Sequence, residues 1–146
     1  MIAILDYGSG NLRSAQRAFE TSGKEVVLTS DYDVALNADG LVVPGVGAFA
    51  ACMQGLAGVR GDQLVRERIS LKRPTLGICV GMQILAASSE EGCLSGLSWI
   101  KARVKKFDES KISHRTRLPH MGWNDVHTVA MSPLFDGLDR EPRFYF

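Results

Sequence analysis

Several features that would decide a function class are missing from this sequence. Neither charge is in excess: 17 Lys and Arg stand against 16 Asp and Glu, for a net charge of +1. No basic or acidic block breaks that balance, so there is no electrostatic case for nucleic acid or for a membrane surface. No apolar run approaches the roughly 20 residues of a membrane span. The N-terminus, "MIAILDYGSGN", has no basic n-region and is too soon interrupted to read as a signal peptide. There are three cysteines, Cys52, Cys79 and Cys93. Odd in number and far apart, they fit neither a disulfide framework nor a metal site with paired Cys-x-x-Cys ligands. The expectation is a cytoplasmic protein without metal or cofactor. Repeats and low-complexity tracts are absent too.

What is present suits one globular domain over residues 1–146. The chain is 45% hydrophobic and 23% charged, enough to bury a core. "MIAIL" reads as a first strand. "NLRSAQRAFETSG" places Leu12, Ala15, Ala18 and Phe19 at helical spacing, with Gly23 as a C-terminal stop. "EVVLT" is a second strand, and "SDYDVALN" a short helix capped by Ser30 or Asp31. "GLVVPG" is a third strand, stopped by Pro44. Residues 48–70 form two helical pieces divided near Gly58 and Gly61. "TLGIC" is a fourth strand, and "GMQILAASS" begins a helix. Strands alternating with helices predict an α/β fold, with a mainly parallel sheet covered by helices on both faces. Beyond Gly92 the pattern loosens. "LSWIKARVKKF", "DVHTV" and "PRFYF" read as strands of a less regular, antiparallel region. The last is cut short at Phe146, and the expectation is a fragment.

In such sheets ligands gather at the carboxyl ends of the strands. Two glycine-rich loops leave strands there. Gly77-Ile78-Cys79-Val80-Gly81 has the form of a nucleophile elbow, a sharp strand-to-helix turn that thrusts its central side chain over the sheet edge. A helix N-terminus beneath the apex favours thiolate over thiol and can hold an oxyanion. Cys79 is therefore placed to attack a carbonyl carbon and form a thioester. An arbitrary free cysteine is more often a small core residue, and Cys52 and Cys93 read as packing residues or as incidental. Pro44-Gly45-Val46-Gly47 is the complement, a loop able to turn an N–H toward developing negative charge.

A thiolate nucleophile needs a general base, usually histidine. His114 lies in the polar loop "KISHRTR", His127 at a strand position, and His120 in "LPHMGWN". None has a context that points to catalysis. "PHMGWN" itself reads as a loop, with Trp123 as either an interface anchor or a cover for the domain's own core.

Together, "DYGSGN", "LVVPGVGAF", "LGICVGMQ" and "LPHMGWN" resemble the class I (triad) glutamine amidotransferases. Within them they resemble the glutaminase subunits of imidazole glycerol phosphate synthases. The resemblance runs over residues 1–146 and is weaker between Ala86 and Arg117. Anthranilate-synthase-type relatives read Pro-Gly-Pro-Gly and Gly-His-Gln where this chain has Pro-Gly-Val-Gly and Gly-Met-Gln. It implies a flavodoxin-like three-layer fold, C-terminally incomplete here, and hydrolysis of glutamine to glutamate and ammonia. The ammonia would pass through a tunnel to a (β/α)8-barrel cyclase subunit, the partner in a heterodimer. There it would yield imidazole glycerol phosphate and the aminoimidazole carboxamide ribonucleotide.

By the same resemblance Cys79 is the nucleophile. The N–H of Val80, with that of Val46 or Gly47, forms the oxyanion hole. Gln83 and Gly47 bind glutamine. Asn11, His120, Met121, Trp123 and Asn124 lie toward the cyclase, as do "DYGSGN" and "PHMGWN" as a whole. The family's catalytic histidine and glutamate sit in a His-Pro-Glu motif after the "FYF" strand, and these 146 residues contain none. The expectation is that this stretch alone does not turn over glutamine. Two other classes compete: a non-catalytic partner or regulatory module, and another elbow-cysteine enzyme such as a peptidase. A longer chain carrying His-Pro-Glu speaks against the former, and "PHMGWN" against the latter.

Overall fold

A computed structural model describes residues 1–112, 118–138 and 142–146. These form two compact units, residues 1–106 and 107–146. The first is built on four parallel strands, β1 (Ile2–Leu5), β2 (Val26–Thr29), β3 (Gly40–Gly45) and β4 (Thr75–Cys79), in the order β2-β1-β3-β4. Between them run α1 (Leu12–Thr21), α2 (Tyr32–Asn37), α3 (Phe49–Gly58) and α4 (Gly61–Ser70). The caps follow the sequence signals. Asn11 Oδ1 accepts from Ser14 N–H at 3.2 Å and Asp31 Oδ1 from Val34 N–H at 2.8 Å, while Gly23 takes a positive φ just past α1.

Strand periodicity sorts the sheet's two faces. Ala3, Leu5, Leu41 and Val43 join Phe49, Cys52, Leu56, Leu64 and Val65 in one core. Ile4 and Val42 are buried outside that cluster, on the opposite face, where α1 packs on β1 and β2. Helical cover on both faces holds for the central strands. It does not extend to the edge strand β4, whose Leu76 and Ile78 are 41% and 38% exposed. Within α1, Leu12, Ala15 and Phe19 are half-buried, but Ala18 faces solvent.

A few local expectations need correction. Pro44 does not stop the third strand: β3 continues through it to Gly45. Pairing with β1 ends at Val42, whereas pairing with β4 runs on to Gly45. A residue without an N–H is tolerated where one side of the strand is open. The helix after Cys79 is one turn only, α5 (Val80–Gln83). Beyond it the carbonyls of Ile84, Leu85 and Ala86 accept from the N–H groups of Leu97, Trp99, Ile100 and Ser98. This distant segment captures the acceptors that helix continuation would have used. β5 (Ser88–Ser89) and β6 (Arg103–Val104) then pair in parallel.

In the second unit only Asp125 of "DVHTV" lies in a strand. β7 (Trp123–Asp125) pairs antiparallel with β8 (Arg143–Tyr145), Trp123 opposite Tyr145. The loop expected over "PHMGWN" therefore ends at Gly122. Two single 3-10 turns, Glu109–Lys111 and Pro133–Phe135, complete this unit.

Candidate active site

β4 meets α5 at Cys79, whose φ of 56° and ψ of −120° are those of the first central residue of a type II′ turn. Holding a side chain in such a sparsely populated region costs about 1–3 kcal/mol. The thiol is exposed. The flanking glycines serve space rather than φ, since neither Gly77 nor Gly81 is among the positive-φ residues. A Cβ on Gly81 would lie 1.9 Å from Val43 O, and one on Gly77 2.6 Å from Gly81 O. A Cβ on Gly45 would lie 2.4 Å from Gly81 N. Three stretches of bare backbone thus close on one another, with Gly45 in register opposite Cys79. This answers why the thiol sits between glycines: the elbow can press against the end of β3 only without side chains. Because α5 is a single turn, little of a full helix dipole stands behind Cys79. Its placement rests on the turn.

The Pro44–Gly47 loop is tied down from beneath. Tyr7, 4% exposed, donates its hydroxyl to Pro44 O. Ser9 Oγ donates to Val46 O at 3.0 Å and accepts from Val46 N–H at 3.1 Å. The Cys52 thiol lies 3.1 Å from Ser9 Oγ and 3.5 Å from Val46 O. Burial, and then Cys52, push the Tyr7 phenol up, so it stays a donor at neutral pH. Of the two loop amides expected at an oxyanion hole, Val46 N–H is engaged in this conformation. That of Gly47, at φ 86°, makes no hydrogen bond among the described residues. Cys52 is a packing residue, as expected, with a polar neighbour besides. Tyr7 and Ser9, expected toward a partner, turn inward to the loop. "DYGSGN" stood out in the sequence, but its target lies 37 residues away.

A groove of about 300 Å³ runs beside the thiol, bounded by Asn11 and Ala15, by Pro44, Gly45 and Val46, and by Ile78 and Cys79. Val80 is buried at 6% exposure. Gln83 borders a separate cavity of about 320 Å³, with Met82, Ala86, Ile100 and Arg103. Its Oε1 is buried and has no hydrogen-bond partner among the described residues. The structure thus brings Cys79, Val46 and Asn11 to one groove and places Gln83 at another. Asn11 spends its side-chain oxygen on capping α1.

His114 lies outside the described residues, and His120 and His127 belong to the other unit. There His120 Nε2 is 2.9 Å from Asn124 Nδ2. Met121 and Trp123 are 67% and 63% exposed, and Trp123 meets Tyr145 edge-on at 5.8 Å. Among the described residues no group of three or more His, Cys, Asp or Glu could hold a metal ion. No helix among them is long and apolar enough to cross a membrane.

Comparison with known proteins agrees with this geometry. The family described as glutamine amidotransferase class-I matches residues 3–145. The chain is 54% identical over 147 residues to the imidazole glycerol phosphate synthase subunit HisH of Corynebacterium diphtheriae, covering 99% of this chain and 67% of that one. To the subunit of the same name from Mycobacterium tuberculosis it is 52% identical over 151 residues, covering 99% and 68%. To that of Thermobifida fusca it is 51% identical over 147 residues, covering 99% and 67%. The chain therefore spans about two thirds of these relatives' length. A crystal structure of a glutamine amidotransferase shares the fold at a TM-score of 0.65 and 19% identity, over 85% of this chain and 62% of that one. The chain belongs to the class-I glutamine amidotransferase family and, within it, to the HisH subunits of imidazole glycerol phosphate synthase.

Proposed function

We propose that the protein hydrolyses glutamine through a Cys79 thioester and hands the ammonia to a cyclase subunit. That subunit then makes imidazole glycerol phosphate and the aminoimidazole carboxamide ribonucleotide in histidine biosynthesis. The observation that carries this is Cys79 itself, exposed at a II′ apex and in register with Gly45 of the glycine loop. The Cys79 sulfur adds to the side-chain carboxamide carbon of glutamine. The oxyanion is drawn to the N–H of Val80 and to one from Val46 or Gly47. As the tetrahedral adduct collapses, the C–N bond breaks and ammonia leaves with a proton from a general acid. Water, giving a proton to the same group, then attacks the thioester, releases glutamate and restores the thiol. By the family resemblance Gly47 and Gln83 bind the substrate, which for Gln83 requires glutamine to reach from the Cys79 groove to the cavity that Gln83 borders. The family resemblance assigns the proton carrier to a His-Pro-Glu pair, which these 146 residues do not contain.

Both units belong to one amidotransferase domain, as the family match across residues 3–145 supports. His120, Met121, Trp123 and Asn124, with Asn11, face the cyclase in a cytoplasmic heterodimer. The test is ammonia release by a chain extended to the length of its HisH relatives and mixed with the cyclase. Cys79→Ala abolishes release and leaves the thermal midpoint in place. The 146-residue stretch alone falls short by at least the ~10²–10⁴-fold of general acid–base catalysis. Release that survives Cys79→Ala, or full activity from the 146 residues, contradicts the proposal.

A further inference from the structure

The Tyr7 hydroxyl lies beneath the reacting edge of the sheet and has no part in the chemistry above. Its acceptor, Pro44 O, belongs to the same peptide plane as Gly45 N. Gly45 is the residue that touches the elbow at Val80 and Gly81 and pairs with Cys79. Holding Pro44 O therefore fixes the rotation of the Pro44–Gly45 peptide, and with it the approach of the following loop amides to the thiol. Tyr7 is itself packed closely against α3: a Cβ on Gly55 would lie 2.4 Å from Tyr7 O and 3.2 Å from its ring. Pro44 is buried, so without the phenol its carbonyl loses a partner that water does not readily replace.

Given the Cys79 thioester chemistry proposed above, we infer that Tyr7 is a positioning residue. Through its hydrogen bond to Pro44 O it keeps the glycine loop at the distance and angle that oxyanion stabilisation requires. A small displacement of such donors lowers the rate of the chemical step more than it lowers binding of the ground state.

The test separates the thiol from the loop. In the extended chain with its cyclase, Tyr7→Phe lowers kcat for glutamine hydrolysis about tenfold with KM within about twofold, as expected for an interaction strengthened in the transition state. Alkylation of Cys79 by iodoacetamide forms no oxyanion, and it proceeds at the parent rate. An unchanged kcat in Tyr7→Phe overturns the inference. So does a parallel fall in kcat and in iodoacetamide alkylation, which marks general loosening of the fold. A parent protein that hydrolyses no glutamine at all overturns the thioester reading first, and this inference with it.

Discussion

Phe49 ends "LVVPGVGAF" and Trp123 lies within "LPHMGWN", yet Phe49 is fully buried and Trp123 is 63% exposed. The contrast extends to their surroundings. Phe49 opens α3 inside a core contributed by β1, β3 and all the helices from α2 to α5, and such burial contributes about 1.5–3 kcal/mol for one side chain. Residues 107–146 have no buried residue among those described. A three-residue backbone ladder, an Arg143–Asp125 ion pair at 3.0 Å and two edge-on aromatic pairs are among the contacts that link them. The first unit positions the thiol by its own packing. In the second, Met121, Trp123, Leu134, Phe144 and Tyr145 keep large apolar surfaces in solvent, a composition that suits contact with another surface.

The sharpest way to break this contrast is at the base of the first unit. Arg68 is fully buried and donates to the carbonyls of Ala35, Leu36, Ala38 and Pro74 at 2.7–2.9 Å. It joins the end of α2 to the start of β4. Arg68→Met is close in volume and takes the donor from the carbonyls of Ala35 and Ala38, while Leu36 O keeps Arg73 and Pro74 O keeps the Leu41 N–H, so the expected loss of unfolding free energy is at least ~2 kcal/mol. Urea denaturation checks it. A loss under ~1 kcal/mol would mean that the core does not depend on this clasp.

Trp123→Ala sharpens the other side. Its intramolecular partner is Tyr145, and such a pair contributes about 0.5–1.5 kcal/mol. The thermal midpoint of the free subunit should hardly move, while affinity for the cyclase falls by at least ~1–2 kcal/mol. Calorimetric titration and a melting curve read the two effects separately. A large drop in midpoint with unchanged affinity would make Trp123 a structural residue, and the docking role would be withdrawn.

Most of the first unit was legible in the sequence because its signals are local. Asp31 caps, Gly23 stops, and the strand runs pair in parallel as expected. The misreadings share a cause, which is acceptors or partners supplied from far along the chain. α5 ends after one turn because residues 97–100 take the carbonyls of Ile84, Leu85 and Ala86. β7 covers Trp123–Asp125 and stops at the first residue of "DVHTV" because Arg143–Tyr145 sets the register. What Tyr7 and Ser9 hold was not legible, because the loop is 37 residues away. Cys79 was legible for the opposite reason. The glycines that its turn needs are its immediate neighbours.

The central claim is that Cys79 alone among the three cysteines attacks a glutamine-like carbonyl. Cys93 is also exposed and Cys52 is buried, so accessibility by itself does not separate Cys79 from Cys93. The direct measurement is peptide mapping after treatment of the extended protein with a glutamine-analogue electrophile. Label confined to the peptide bearing Cys79, and blocked by excess glutamine, is the predicted result. Label shared with Cys93, or insensitive to glutamine, would contradict the account.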